Sequence, residues 1–148
     1  MNESVTIIIA EDDMGHATLI QRNLEKAGIR NKFIHFKNGQ ETMDFLFRSG
    51  EGPHRGKDTS YLLLLDIKMP KVGGVEVLKK IKEDRELCKI PVIMLTTTDD
   101  PREVEKCHAL GCSNYLVKPV EYPLFIETIK QLGLFLMVVE VPKINGSV

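Results

Sequence analysis

Short apolar runs alternate with segments of helical periodicity along the chain. Three of the five runs are nearly continuous in Val, Ile and Leu, which is typical of strands that are buried on both faces of a parallel sheet. The strands that this pattern predicts are Val5–Ala10, Lys32–Phe36, Tyr61–Leu65, Pro91–Leu95 and Asn114–Val117. Strands that alternate with helices predict a doubly wound α/β fold, in which a five-stranded parallel sheet carries helices on both faces.

Residues that begin or end helices lie between these runs. Asp13 precedes the first helical segment, and we interpret it as the cap of that helix. Asn38 begins the second segment, and Asp100, which a proline follows, begins the fourth. Gly28 and Gly111 end the first and the fourth segments. These signals support helices between the predicted strands.

The last helical segment changes character near its end. Through Gln131 it is amphipathic, whereas beyond Gly133 both of its faces are apolar. A helix that is apolar on all sides needs a surface that covers it. We therefore divide the chain into a main domain, residues 1–132, and an apolar extension of the last helix with its tail, residues 133–148. We expect the extension to form a homodimer, and docking of a partner protein is the alternative.

Composition and charge restrict the classes of protein that this chain can represent. The 148 residues are 43% hydrophobic and carry a net charge of −1, which is typical of one globular domain and gives no attraction to nucleic acid. No apolar stretch reaches the ~20 residues that a membrane span needs. We therefore expect a cytoplasmic protein with neither a nucleic-acid nor a membrane partner.

The cysteines and histidines form no metal or redox motif. The three cysteines, Cys88, Cys107 and Cys112, fit no C-x-x-C pair, so we interpret them as buried, reduced thiols. The histidines lack metal-ligand spacing, and we assign all four to surface or packing positions: His16, His35, His54 and His108. The candidate chemistry therefore comes from other polar residues.

Polar residues follow four of the predicted strands. Glu11 and Asp12 follow the first strand, and Asp66 follows the third. Thr96 and Lys118 end or follow the fourth and the fifth. Because ligands of such sheets bind at the carboxyl ends of the strands, we expect these side chains to meet there. Clustered acids need a cation among them, and oxygen ligands favour Mg²⁺, so this cluster is suited to accept a phosphoryl group.

Each of these residues has a simpler interpretation when it is considered alone. Asp66 fits a turn residue or a helix cap, and Lys118 fits a solvated surface charge. Thr96 fits the cap region of the fourth helix, and Tyr115 fits a core residue with its hydroxyl at the rim. Their joint placement at neighbouring strand ends favours a common site.

Four motifs at these strand ends resemble one known family. The motifs are Ile8–Asp13, Leu65–Pro70 with Gly74 following, Met94–Thr97 and Tyr115–Pro119. In this order and spacing, the chain resembles the CheY-like receiver domains of two-component response regulators. The resemblance implies a flavodoxin-like sheet with the strand order 2-1-3-4-5.

For the acidic residues, the resemblance implies a phosphoryl-accepting metal site. Asp66 is implied to be phosphorylated by a sensor histidine kinase. Asp12 is implied to coordinate Mg²⁺ directly, and Glu11 to help largely through water. Asp66 itself and the backbone carbonyl of Lys68 are implied to complete the protein ligands.

The resemblance also implies roles for three residues around the acceptor. Thr96 and Lys118 are implied to contact the phosphoryl group. Tyr115 is implied to be the switch aromatic that turns inward as Thr96 moves. The peptide bond between Lys118 and Pro119 is expected to be cis, which would aim the lysine into the site.

The resemblance implies a signalling protein rather than an enzyme. We expect a single-domain response regulator in which phosphorylation of Asp66 switches the surface formed by the fourth helix, the fifth strand and the fifth helix. An intermediate of a phosphorelay is the alternative. A phosphatase with an Asp nucleophile is a further alternative, but such enzymes usually carry a second acid two residues after the nucleophile, where Lys68 stands.

Three features depart from the usual pattern of the family. The segment Ser49–Ser60 is longer than most connections, and this insertion resembles the subgroup that partners bacterial phytochromes. Lys68 is able to reach over the mouth of the site. Thr97 stands where smaller residues are usual, and its branched side chain is expected to slow the acceptance of phosphoryl groups from bulky partners.

Overall fold

The computed structural model describes residues 1–145 and shows a five-stranded sheet with the order β2-β1-β3-β4-β5. All four pairings between neighbouring strands are parallel. The strands are β1 (Thr6–Ala10), β2 (Phe33–Phe36), β3 (Tyr61–Leu65), β4 (Val92–Thr96) and β5 (Asn114–Val117). The predicted doubly wound fold and its strand order are confirmed, and each predicted strand lies within one residue of the observed bounds.

Helices connect the strands and cover both faces of the sheet. They are α1 (Met14–Lys26), α2 (Gly39–Phe47), α3 (Gly74–Glu83), α4 (Pro101–Leu110) and α5 (Tyr122–Leu136), with a short 3-10 helix at Leu87–Lys89. Asp13, Asn38 and Asp100 cap α1, α2 and α4 through their side chains, as predicted. Within residues 1–145, no helix is both long and apolar enough to cross a membrane.

The sheet separates two hydrophobic cores because successive strand residues point to opposite faces. Ile7 and Ile9 of β1 pack with α1 and α5. Ile8 and Ala10 of the same strand pack with α2, α3 and α4. All five residues of β3 are buried, since this strand lies between two others and has helices on both sides.

The helical part of the predicted extension is only partly covered by the rest of the chain. Gly133 packs against α1 so closely that an added Cβ atom would lie 2.8 Å from the Cβ of Ala27. Leu136 is fully buried, whereas Leu134 in the helix and Val138, two residues beyond its end, are 64% and 77% exposed. The apolar run therefore has one face in the core and one on the surface.

The tail folds back onto the insertion at the amino ends of the strands. The N–H of Ile144 donates to the carbonyl of Thr59 at 2.9 Å, and the side chain of Ile144 is fully buried. The buried guanidinium of Arg55 donates to the carbonyl of Asn145 at 3.2 Å. We call these four residues, Arg55, Thr59, Ile144 and Asn145, the tail clamp. Residues 146–148 of the predicted extension lie outside the described residues.

The three cysteines are free thiols. Cys107 in α4 and Cys112 before β5 are buried, as predicted, and burial raises the pKa of Cys107 to about 11. Cys88 is exposed, so the prediction of a buried thiol is wrong there. The reason is local, because the short 3-10 helix that holds Cys88 runs over the surface between α3 and β4.

Candidate functional site

Two buried carboxylates share one buried ammonium at the carboxyl edge of the sheet. Glu11, Asp66 and Lys118 are 2%, 8% and 3% exposed. The Nζ of Lys118 donates to Oε1 of Glu11 and, at 3.1 Å, to Oδ2 of Asp66. Burying charged groups is costly unless they are paired, so this arrangement depends on all three side chains.

Backbone hydrogen bonds to neighbouring strands fix the positions of the three residues that carry these side chains. The N–H of Asp66 donates to the carbonyl of Ala10 at 3.0 Å, and the N–H of Lys118 donates to the carbonyl of Thr96 at 2.6 Å. The N–H of Glu11 bonds in the same way to the last residue of β2, at 3.0 Å. Each backbone is therefore held for one residue beyond its strand, which brings the three side chains to one edge.

A third carboxylate completes an acidic cluster. Glu11, Asp12 and Asp66 each offer an oxygen, and these oxygens lie within 4.8 Å of one another. Burial raises the pKa of Glu11 to about 7, although the bond to Lys118 opposes this shift. Carboxylate oxygens at this spacing suit a hard divalent cation, which would also favour the charged form of Glu11. The residues present therefore fit a metal such as Mg²⁺.

The loop after β3 holds the Asp66 carboxylate in a defined orientation. The N–H of Ile67 donates to Oδ1 of Asp66 at 2.7 Å, which leaves Oδ2 directed at Lys118. At Gly74, the first residue of α3, an added Cβ atom would lie 2.0 Å from the carbonyl oxygen of Asp66. An added Cβ at Gly39 in α2 would lie equally close to the carbonyl oxygen of Val72. Two glycines thus let α2 and α3 pack directly against this loop.

The two expected switch residues both contact the loop between β4 and α4. Thr96 is fully buried, and its hydroxyl accepts from the N–H of Thr98 at 3.4 Å. The hydroxyl of Tyr115 donates to the carbonyl of Thr98 at 2.7 Å. Burial raises the pKa of Tyr115 to about 12, so this phenol is a donor at neutral pH. The hydroxyl of Thr98 itself is buried without a hydrogen-bond partner among residues 1–145.

Two residues that depart from the family pattern lie at the rim of the site. Lys68 is exposed in the loop that follows Asp66. Thr97 is also exposed, immediately after the buried Thr96. Both side chains are thus exposed to solvent, two residues after Asp66 and one residue after Thr96.

The expectation of a cis peptide bond between Lys118 and Pro119 is wrong. That bond is trans, and the cis bond recorded within residues 1–145 lies between Gly52 and Pro53 in the insertion. The lysine reaches both carboxylates from a trans bond because β5 and the hydrogen bond to Thr96 already direct it into the site.

The contact of His16 with the site is not predicted by the sequence pattern. This residue was assigned to the surface or to packing, yet its Nδ1 lies 3.2 Å from Nζ of Lys118. Its ring packs edge-on against that of Phe125 in α5, with the centroids 5.3 Å apart. The available signal was its place near the amino end of α1, which begins at the same edge of the sheet as the acidic cluster.

Comparison with known proteins establishes the family. A profile of the response regulator receiver domain matches residues 7–130. This match spans most of the chain, which therefore belongs to the response regulator receiver domain family, a family of two-component signalling proteins.

Solved structures agree with this assignment. A response regulator receiver domain from Rhodospirillum rubrum is 41% identical, with a TM-score of 0.89 over 95% of this chain and 99% of that one. The Mn²⁺-bound form of response regulator Rcp1 is 30% identical, with a TM-score of 0.83 over 93% and 98% of the two chains. A phosphorylated cyanobacterial phytochrome response regulator, RcpA, is 28% identical, with a TM-score of 0.82 over 93% and 97%.

Proposed function

We propose that this protein is a cytoplasmic single-domain response regulator that accepts a phosphoryl group on Asp66 from a sensor histidine kinase. The observation that carries the proposal is the buried carboxylate of Asp66, which shares the ammonium of Lys118 with Glu11 at the carboxyl edge of the sheet. The similarity to RcpA, which was solved in a phosphorylated form, supports it.

Glu11, Asp12 and Asp66, with the backbone carbonyl of Lys68, would hold Mg²⁺ in this proposal. The cation would neutralise charge on the phosphoryl oxygens. Support comes from the oxygen-only cluster and from the Mn²⁺-bound structure of Rcp1. Chelation of divalent cations should therefore abolish phosphorylation, and added Mg²⁺ should restore it.

The residues of the chain would position and neutralise the reacting groups. A carboxylate oxygen of Asp66 forms a bond to phosphorus while the bond from phosphorus to the kinase histidine breaks. The ammonium of Lys118 and the hydroxyl of Thr96 donate to the phosphoryl oxygens. Movement of Thr96 would disturb the loop residue Thr98 that Tyr115 also binds, and so alter the surface formed by α4, β5 and α5.

The first experiment is phosphorylation by acetyl phosphate with Mg²⁺, followed by intact-mass analysis. We expect one phosphoryl adduct on the wild-type protein and none on Asp66→Asn. Asp58→Asn is the matched control, because Asp58 is exposed in the insertion, and this variant should form the adduct normally. An adduct that persists in Asp66→Asn contradicts the proposal.

A phytochrome-type histidine kinase is the proposed phosphoryl donor. The proposal is supported by the insertion Ser49–Ser60 and by the similarity to RcpA, whose name describes a phytochrome response regulator. Phosphorylated kinases of several classes should be compared at equal concentration, and transfer from the phytochrome-type kinase should be fastest. Equal transfer from all of them contradicts this donor.

The exposed apolar face at the end of α5 and in the extension that follows it is proposed to form a homodimer. Leu134, Phe135 and Val138 are exposed there, and Phe135 also lines a cavity of about 150 Å³ between α5 and the strands β4 and β5. Exposed apolar patches of this kind are typical of interfaces. We expect the wild-type protein to sediment as a dimer and Phe135→Lys as a monomer. Phe47→Lys on α2 is the matched control, and a monomeric wild type at high concentration contradicts the dimer.

A further inference from the structure

The ammonium of Lys118 has no hydrogen left for a new acceptor. It carries three N–H donors. One donates to Oε1 of Glu11, one to Oδ2 of Asp66 at 3.1 Å, and the third points to Nδ1 of His16 at 3.2 Å. For this contact to be a hydrogen bond, Nδ1 must accept, because an ammonium has no lone pair, and the ring proton then lies on Nε2.

The ring of His16 connects this ammonium to the last helix. His16 is the third residue of α1, and its backbone N–H donates to the capping carboxylate of Asp13 at 3.0 Å. The other ring nitrogen, Nε2, lies 3.8 Å from that same carboxylate. The ring packs nearly perpendicular to that of Phe125, which is buried in α5. The ring therefore lies between the acceptor site and α5.

A phosphoryl group on Asp66 brings additional charged oxygens to an ammonium whose donors are all in use. The phosphoryl group turns the carboxylate of Asp66 into an uncharged acyl group and carries the negative charge itself, so Nζ of Lys118 moves from Oδ2 to a phosphoryl oxygen. Bonds from an ammonium to charged oxygens are stronger than bonds to a neutral acceptor. Of the two other acceptors, Glu11 would be kept ionised by the bound cation, whereas the imidazole of His16 carries no negative charge, so the bond to His16 is the one that we expect to break as Nζ moves.

We propose that His16 is a positioning residue that restrains Lys118 in the unphosphorylated state and is released when Lys118 turns to the phosphoryl group. This inference rests on the proposed function of Asp66. Release removes the hydrogen bond between Lys118 and the ring, and it changes the contact of the ring with Phe125. The state of the acceptor thereby reaches α5 by a second route, separate from Thr96 and Tyr115.

Nuclear magnetic resonance of protein with ¹⁵N-labelled histidine tests the contact directly. In the unphosphorylated protein, we expect an unprotonated, hydrogen-bonded Nδ1 for His16. Adding Mg²⁺ and beryllofluoride, a phosphoryl mimic, should shift this signal to that of a nitrogen without a hydrogen bond, and the ring signals of Phe125 should shift with it. An Nδ1 that carries the proton, or a His16 signal that stays constant while the Asp66 amide shifts, overturns the inference.

Two substitutions distinguish a restraint from simple packing. His16→Leu keeps a side chain that can pack against Phe125 but removes the hydrogen-bond acceptor. In His16→Asn, the amide oxygen is placed to replace Nδ1 as the acceptor. Loss of a bond made only in the resting state should tighten beryllofluoride binding about fivefold in His16→Leu, and His16→Asn should restore the wild-type value. His54→Leu in the exposed insertion is the control and should bind as the wild type does.

The results separate this inference from the proposal on which it rests. Weaker or unchanged binding in His16→Leu, or equal changes in both variants, overturns the restraint, because a packing residue would give either result. A wild-type protein that gains no Asp66-dependent adduct with acetyl phosphate contradicts the proposed function instead. A wild type that gains the adduct but keeps the His16 signal constant contradicts only the role of His16.

Discussion

The buried cations at the two ends of the sheet bond to different kinds of acceptor. At the carboxyl end, the ammonium of Lys118 is held by the carboxylates of Glu11 and Asp66, within a cluster that has an excess of negative charge. At the amino end, the buried guanidinium of Arg55 donates to neutral carbonyls, among them that of Asn145 in the tail clamp. The acceptors of Lys118 are therefore charged groups that suit a further cation, whereas the acceptors of Arg55 are uncharged.

This difference indicates which end is able to change state. In the proposed function, phosphorylation of Asp66 would alter the charge and the acceptors around Lys118, so the bonds of Lys118 could be exchanged. The acceptors of Arg55 are backbone carbonyls of α2 and the tail, which phosphorylation does not alter. We therefore expect substitutions at the amino end to change stability alone, and substitutions at the carboxyl end to change the response to ligands and pH.

The largest effect should come from the amino end. Ile144→Ala removes a fully buried side chain from the core and should lower the free energy of unfolding by about 2–5 kcal/mol. Urea denaturation measures this change, with Val120→Ala at a fully exposed position as the control. Phosphorylation by acetyl phosphate should keep its wild-type rate while the protein is folded. A slowed rate in the folded variant would show that the two ends are coupled.

A smaller effect should appear in the pH dependence of stability at the carboxyl end. The pKa of Glu11 is about 7 in the folded protein and 4.5 in its ordinary state, so the folded protein retains a proton that the unfolded chain loses between these values. The free energy of unfolding of the metal-free protein should therefore fall as the pH rises from about 4.5 to about 7, by up to about 3 kcal/mol.

Denaturation at a series of pH values tests this sign. Glu11→Gln should remove the fall, because a glutamine has no proton to lose. Added Mg²⁺ should reduce the fall in the wild-type protein, since a cation stabilises the charged carboxylate. A wild-type profile that is flat, or that rises over this range, contradicts the charge difference between the two ends.

The smallest effect on stability should be that of Thr97→Ala at the rim of the site. The side chain is exposed, so the free energy of unfolding should change by less than about 0.5 kcal/mol. A narrower entrance should nevertheless slow acceptance from a bulky donor, so the alanine variant should take phosphoryl from a phosphorylated kinase faster than the wild type. Equal transfer rates from the same kinase preparation would show that Thr97 does not restrict access.

The sheet and the main cluster could be predicted from the sequence because they depend on local pattern. Buried parallel strands produce continuous apolar runs, and the carboxyl ends of such strands share an edge, so Glu11, Asp66 and Lys118 were expected together. The caps Asp13 and Asn38 could be predicted for the same reason, because a capping side chain bonds within its own turn of the helix.

The remaining features depend on tertiary contacts, which produce no periodic pattern of hydrophobic and polar residues in the sequence. The bond from Lys118 to His16 requires the packing of α1 against the site and the choice of a rotamer. The tail clamp pairs Ile144 with Thr59 through a single isolated bridge, which has no alternating pattern of its own. The exposure of Cys88 depends on the path of a three-residue helix across the surface.

The tail clamp has a consequence for the design of biosensors from this protein. A fluorescent reporter fused directly after Asn145 would be tethered beside the insertion, at the edge of the sheet opposite Asp66. Such a fusion would report poorly on events in α5, because the clamp separates its attachment point from that helix. A dye on an introduced cysteine at Leu124, which is exposed in the first turn of α5, would be the better placed reporter.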